Sequence, residues 1–101
     1  MTEQIKEYIV IWDDDAKMQL RKAYDHIKYQ SASNAKKVRN GILKTARSLK
    51  NMPERYELYP PMKRIPGNFR FRETHSHLLI YDVTDSEVHI VKLIHKLENY
   101  N

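Results

Sequence analysis

The spacing of apolar residues changes along the chain, and each change predicts an element. Ile5 to Trp12 is a β-branched and aromatic run too short for a helix, so it predicts a first strand, covered on both faces. From Ala16 the spacing widens: Ala16, Leu20, Ala23, Tyr24 and Ile27 fall on one stripe of a helix over about residues 14–30. The triplet Asp13-Asp14-Asp15 marks its start. Carboxylates favour the positive end of a helix by about 0.3–1 kcal/mol each when exposed, whereas consecutive helical residues cannot share one face to hold a metal. Ser31-Ala32-Ser33-Asn34 punctuates, with Ser31 or Ser33 as the cap of a second helix over about 34–50. Ala35, Val38, Ile42, Ala46 and Leu49 form its apolar stripe; Gly41 weakens it by about 1 kcal/mol relative to Ala.

Met52-Pro53 ends that helix, because the residue before proline avoids the helical region. A long connection over 53–68 holds all four prolines and the second glycine. Connections of this length are usually functional or partly structured. Beyond it, Phe69 to Thr74 alternates, with Phe69 and Phe71 on one face and Arg70 and Arg72 on the other. His77 to Val83 is apolar on both faces and reads as a central strand. Thr84-Asp85-Ser86 is a turn, and Glu87 to Ile94 is the last strand. The layout β-α-α-β-β-β predicts an α+β fold in one domain, residues 1–101. Its antiparallel sheet of the last three strands carries a two-helix hairpin on one face. Trp12, Leu20, Tyr24, Ile27, Val38, Ile42, Leu49, Leu78, Ile80, Ile90 and Leu93 are the expected core.

Composition narrows the chemistry. The chain has 101 residues and no cysteine, which excludes disulfides, a Cys-ligated zinc site and a thiol nucleophile. No stretch approaches the roughly 20 apolar residues of a membrane helix, and the first residues do not read as a signal peptide. A cytoplasmic protein with no membrane partner is expected. The net charge of +5 is unevenly spread. Residues 36–72 hold eleven Lys and Arg against Glu54 and Glu57, so that segment alone carries +9. Such a patch suits an anionic partner, either nucleic acid or an acidic polypeptide.

No glycine-rich phosphate loop is present. His75 and His77 have the spacing of two ligands on one strand face, yet no third ligand stands out, and neither a metal nor another cofactor is expected. A broader set draws on the connection, two strand regions and the tail: Lys63, Arg64, Arg70, Arg72, His75, His77, His95, Lys96 and Tyr100. Arg and Lys can hold phosphates, and His or Tyr can move protons. RNA cleavage by 2′-hydroxyl attack needs such a set and no metal. Arg70 and Arg72 are expected to point out of the core on the sheet's exposed face.

The whole pattern resembles a known family. Trp12 after a short strand, the helix pair, Leu49-Lys50-Asn51-Met52-Pro53, Phe69-Arg70-Phe71-Arg72, His75-Ser76-His77-Leu78-Leu79-Ile80-Tyr81 and Val91-Lys92-Leu93-Ile94-His95 look like the RelE/ParE superfamily of bacterial type II toxin–antitoxin systems. The resemblance covers about residues 5–97. It implies a small growth-inhibiting toxin held inactive by a cognate antitoxin, with which it can form a toxin–antitoxin hetero-oligomer. RelE-like members cleave mRNA on the ribosome; ParE-like members inhibit DNA gyrase and are not nucleases. The Ser76–Tyr81 run with Leu93-Ile94-His95 looks more ParE-like, although Lys92 stands where Arg is common and the tail lacks an Arg-Met-Asp ending.

Lys63, Arg64, Arg70, Arg72 and Lys96 are candidate nucleic-acid or target-binding residues. On the RelE-like reading, Arg70, Arg72, His77, His95 and Tyr100 are candidate catalytic residues. An inactive relative retained for antitoxin binding is the third alternative. Convergence of Arg70, Arg72, His77 and His95 in one cleft would favour cleavage, and their divergence would favour docking. The basic segment suits an acidic antitoxin segment that folds on binding.

Overall fold

The computed structural model describes residues 6–98. In chain order its elements are β1 (Ile9–Trp12), α1 (Asp14–Lys28), α2 (Ala32–Ser48), β2 (Phe69–Thr74), β3 (His77–Val83) and β4 (Glu87–His95). Two 3₁₀ turns, Pro53–Arg55 and Pro60–Met62, lie in the connection between α2 and β2. The sheet order is β1-β4-β3-β2. The last three strands are antiparallel neighbours, as predicted. β1 adds to them in parallel, pairing Ile9 with Glu87 through to Trp12 with Ile90, so the complete sheet is mixed. β1 is therefore an edge strand rather than one covered on both faces, and Ile9 is 62% exposed. Of the predicted first strand, Ile5 lies outside the described residues.

The helices form where the apolar stripes place them. Ser31 caps α2, its hydroxyl accepting from the Asn34 N–H at 3.2 Å, which satisfies one of the free amides of the first turn. Ala35, Ile42, Ala46 and Leu49 are fully buried. Most of this stripe packs with Ala16 of α1 on Leu79, Tyr81, Val83, Val88, Ile90 and Leu93 of the sheet. A bulge in β4 makes this possible. Ile80 pairs with Lys92 but Tyr81 pairs with Ile90, so Val91 is the extra residue and Ile90 and Leu93 both face the helices. Trp12, Leu20 and Val38 are only partly buried against this core. Tyr24 and Ile27 are also half-buried rather than core. The reason is local: Ile27 and Val38 border an open cleft, and the Tyr24 ring lies under the Arg39 guanidinium at 4.9 Å.

The opposite face of the sheet holds a second apolar cluster that the sequence pattern does not announce. Leu78 and Ile80 are buried there with Tyr59, and Phe69, Phe71, Met62, Val91 and Ile94 pack around them. Tyr59 and Phe71 meet edge to face at 5.6 Å. The connection provides the cover. Tyr59 N–H donates to the Phe69 carbonyl at 2.9 Å and Phe71 N–H to the Glu57 carbonyl at 3.1 Å, so residues 57–59 run along β2 as a further antiparallel partner. The 53–68 segment is thus structured, and it closes the outer edge of β2 that would otherwise be open.

Burial of Ile42 generates a direct test of the helix phase. Ile42→Ala removes a fully buried side chain under the sheet and should cost about 2–5 kcal/mol. Urea unfolding of the two proteins checks this; a midpoint indistinguishable from the parent would place Ile42 outside the core.

Candidate functional site

The basic residues fall into three groups with different degrees of freedom. On α2, Lys36, Lys37, Lys44 and Arg47 are exposed and stand away from the sheet. After α2 the chain turns through Met52 in the left-handed region (φ 48°) into the Pro53–Arg55 turn. Arg55 donates back to the Asn51 carbonyl at 3.1 Å. Its guanidinium lies 4.7 Å from the centre of the Tyr56 ring, and the guanidinium of Arg72 lies at the same distance. Two cations on one aromatic ring form a compact positive feature, since guanidiniums are attracted to the ring's electron-rich face. Arg55, Tyr56, Phe71 and Arg72, with Glu57 and Glu73, line a shallow groove of about 290 Å³ there. Lys63 and Arg64 are exposed farther along the connection, next to the Pro60–Met62 turn.

Arg70 behaves differently from Arg72. Its side chain is only 17% exposed. Its Nε donates to Asn68 Oδ1 at 3.1 Å, and Nη1 donates to the carbonyls of Glu54 and Tyr56 at 3.0 and 2.6 Å. Nη2 stands 3.6 Å from the Glu54 carboxylate, which also accepts from Asn68 Nδ2 at 2.9 Å. Both arginines pair with β3 residues of the helix-facing side, Arg70 with Tyr81 and Arg72 with Leu79. The expectation that both point out on an exposed face of the sheet is therefore corrected. They lie on the helix side, where the 53–56 turn covers Arg70 and leaves Arg72 open. Period-two alternation assigns a residue to a face but does not say what covers that face.

The imidazoles gather elsewhere. His75 and Ser76 form the β2–β3 turn with φ of 50° and 64°, a two-residue turn of the kind that matches strand twist but usually employs Asn and Gly. His75 is thus in a turn and not on a strand face beside His77. Its Nδ1 is 3.0 Å from the Thr74 hydroxyl, which accepts from the Thr45 hydroxyl of α2 at 3.1 Å. Gly41 is the reason that α2 and this turn can approach: a Cβ at position 41 would run into the His75 ring. His77 pairs with His95 across β3 and β4, and their rings meet edge to face at 5.2 Å. Together with His26 of α1 they line an open cleft of about 590 Å³ between the helices and this end of the sheet. Among the described residues, no group of three or more His, Asp or Glu could hold a metal ion.

The two regions do not merge. His77 pairs with Thr74, which places Arg72 and Arg70 two and four residues farther along β2, roughly 7 and 14 Å by strand rise. Lys96 is engaged at the histidine end, where its ammonium lies 3.7 Å from Glu73 and its N–H donates to the Ser76 carbonyl. Tyr100 lies outside the described residues. Sequence reasoning singled out neither the Arg55–Tyr56–Arg72 stack nor the Gly41–His75 contact. The first depends on the path of the connection, and the second on which residue faces a helical glycine across the fold.

Comparison with known proteins now places the chain. The architecture matches a solved structure titled "Chromosomal ParDE TA system from P. aeruginosa" with a TM-score of 0.73 at 18% identity, over 88% of this chain and 96% of that one. That likeness establishes the α+β fold. A family model described as the ParE toxin of the type II toxin–antitoxin system parDE matches residues 10–100. The chain belongs to the ParE toxin family within the RelE/ParE toxins. No curated protein matches it by sequence. Among the described residues, no helix is long and apolar enough to cross a membrane.

Burial of His77 makes stability depend on pH in a defined direction. Desolvation holds its imidazole below the usual histidine value, with His95 and His75 pushing the same way, while the His75 carbonyl and Glu98 oppose. Above about pH 6.5 the ring is neutral folded or unfolded; below it the unfolded chain takes up a proton that the folded one resists. Stability should therefore fall as pH drops through 6.5 and level off below the folded value. Urea unfolding at pH 7.5 and 5.5 measures this, with His77→Gln expected to flatten the profile. A parent midpoint unchanged over that interval would contradict the assignment.

Proposed function

We propose that this protein is the toxin of a cytoplasmic type II toxin–antitoxin pair that arrests growth by docking to DNA gyrase. The observation that carries this reading is the separation of the two candidate groups. On the cleavage reading, Arg70 or Arg72 would have to bring the phosphate-stabilising cation to the same reacting atom as His77 and His95. Here His77 and His95 lie at one end of β2–β4, Arg72 lies beyond, and Arg70 is committed to Glu54, Asn68 and two carbonyls. Cations spread over an exposed surface suit recognition of a large partner. Arg72 on Tyr56, with Arg55, Lys63 and Arg64, is the proposed contact region.

A cognate antitoxin follows from the same surface chemistry. The exposed lysines and arginines of α2 suit an acidic segment that orders on binding, and the outer side of β1 is an open strand edge with Ile9 exposed. The ParDE pairing named for the structural relative supports such a partner. Association should slow at high salt, because screening weakens long-range attraction between the opposite charges.

Inducing the chain in bacteria separates the mechanisms. Gyrase poisoning should give a DNA-damage response with filamentation, and Arg72→Glu should abolish it while leaving the fold intact. Immediate translation arrest with cut mRNA would overturn the docking reading in favour of ribosome-dependent cleavage.

A further inference from the structure

Four of the chain's five histidines line one cleft, and nothing in the gyrase reading uses them. His26 comes from α1, His75 from the β2–β3 turn, His77 from the start of β3 and His95 from the end of β4. Lys22 of α1 and Glu98 of the tail are the other charged lining groups, while α2 contributes Asn34 and Val38. At about 590 Å³ the cleft lies within the usual size of small-molecule sites.

Two hydrogen bonds fix what the central pair can offer. His77 Nδ1 is 2.8 Å from the His75 carbonyl oxygen. A carbonyl only accepts, so Nδ1 carries the proton and Nε2 of the neutral ring is an acceptor. His95 Nδ1 accepts from the Leu97 N–H at 3.2 Å, so the proton of its neutral ring is on Nε2, a donor. Side by side stand one acceptor and one donor, rimmed by Lys22, His26 and His75, with the Glu98 carboxylate as the one acidic lining group. Burial holds His77 towards its neutral form.

We propose that this cleft binds a protonated phosphoryl group, as inorganic phosphate or a small phosphate monoester, with its P–OH donating to His77 and its oxygens accepting from His95 and the basic rim. A phosphoryl group near pH 6 has both kinds of site, since its second ionisation falls at about that pH. Sulfate has the same tetrahedral shape but carries two negative charges and only acceptors. It would set an oxygen lone pair against that of His77, or force a buried imidazole to ionise, and a site built around a hydrogen bond rejects the analogue that lacks it.

The test is a titration of the intact chain at pH 6.0, following histidine Cε1–H resonances, with inorganic phosphate, glycerol 3-phosphate and sulfate in separate arms. Phosphate or the monoester should shift His77 and His95 saturably, with sulfate about tenfold weaker or more, the ratio of one lost hydrogen bond to a charged partner. Tighter binding of the monoester identifies an esterified ligand, and the reverse identifies free phosphate. His77→Phe should erase the preference for phosphate over sulfate; His95→Gln, which keeps a donor, should retain it and serves if the first variant fails to fold. Equal affinity for sulfate, or shifts absent from His77 and His95, would overturn the proposal.

Discussion

A buried hydrogen bond determines where the chain goes after α2. The Tyr81 hydroxyl, in a fully buried side chain of the central strand β3, donates to the Pro53 carbonyl at 2.6 Å. Burial pushes the phenol well above its usual pKa, so it remains a donor throughout the physiological range. Leaving that carbonyl unsatisfied would cost about 1–3 kcal/mol. Beside it, Arg70 gathers the carbonyls of Glu54 and Tyr56 and the carboxylate of Glu54. Tyr81 and Arg70 are direct partners across β2 and β3, so one cross-strand pair holds the whole 53–56 turn against the sheet.

The surface follows from that anchor. With the turn fixed, Tyr56 presents its ring to Arg55 and Arg72, and residues 57–59 run on along β2 to bring Tyr59 and Met62 over the second apolar cluster. A connection rich in proline also loses less conformational entropy when it is pinned. At the far end of the same strands, Gly41 admits His75 and the histidine cleft opens between helices and sheet. One small sheet thus carries two chemically distinct surfaces, a cationic one at the anchored turn and an imidazole-lined one at the β2–β3 turn.

Much of this was legible in the sequence. The stripe from Ala35 to Leu49 set the phase of α2, Ser31 was among the two caps anticipated, and the uninterrupted apolar run from Leu78 to Tyr81 marked β3 as interior. These signals are local and periodic. The parallel pairing of β1 with β4 was not legible, because it joins residues about as far apart as the chain allows and leaves no periodic trace. Nor was the role of Arg70, which alternates with phenylalanines as Arg72 does. One guanidinium is enclosed and the other free only because the connection folds back over one of them. His75 likewise looked like a strand residue, since nothing in a His-Ser pair announces two left-handed turn positions.

Arg70 fastens the connection against the sheet through Asn68, Glu54 and the Tyr56 carbonyl, and under the proposed function it shapes the docking surface rather than contacting the target. Native-state hydrogen exchange on the parent and on Arg70→Ala tests it most directly, read at the amides of Tyr59 and Phe71, which bond across the connection and β2. Both should exchange faster in the variant while the amides of α2 and of β3 around Leu79 keep their protection. Unchanged protection at Tyr59 and Phe71 would show that the connection holds its place without Arg70, and that Arg70 does not anchor it.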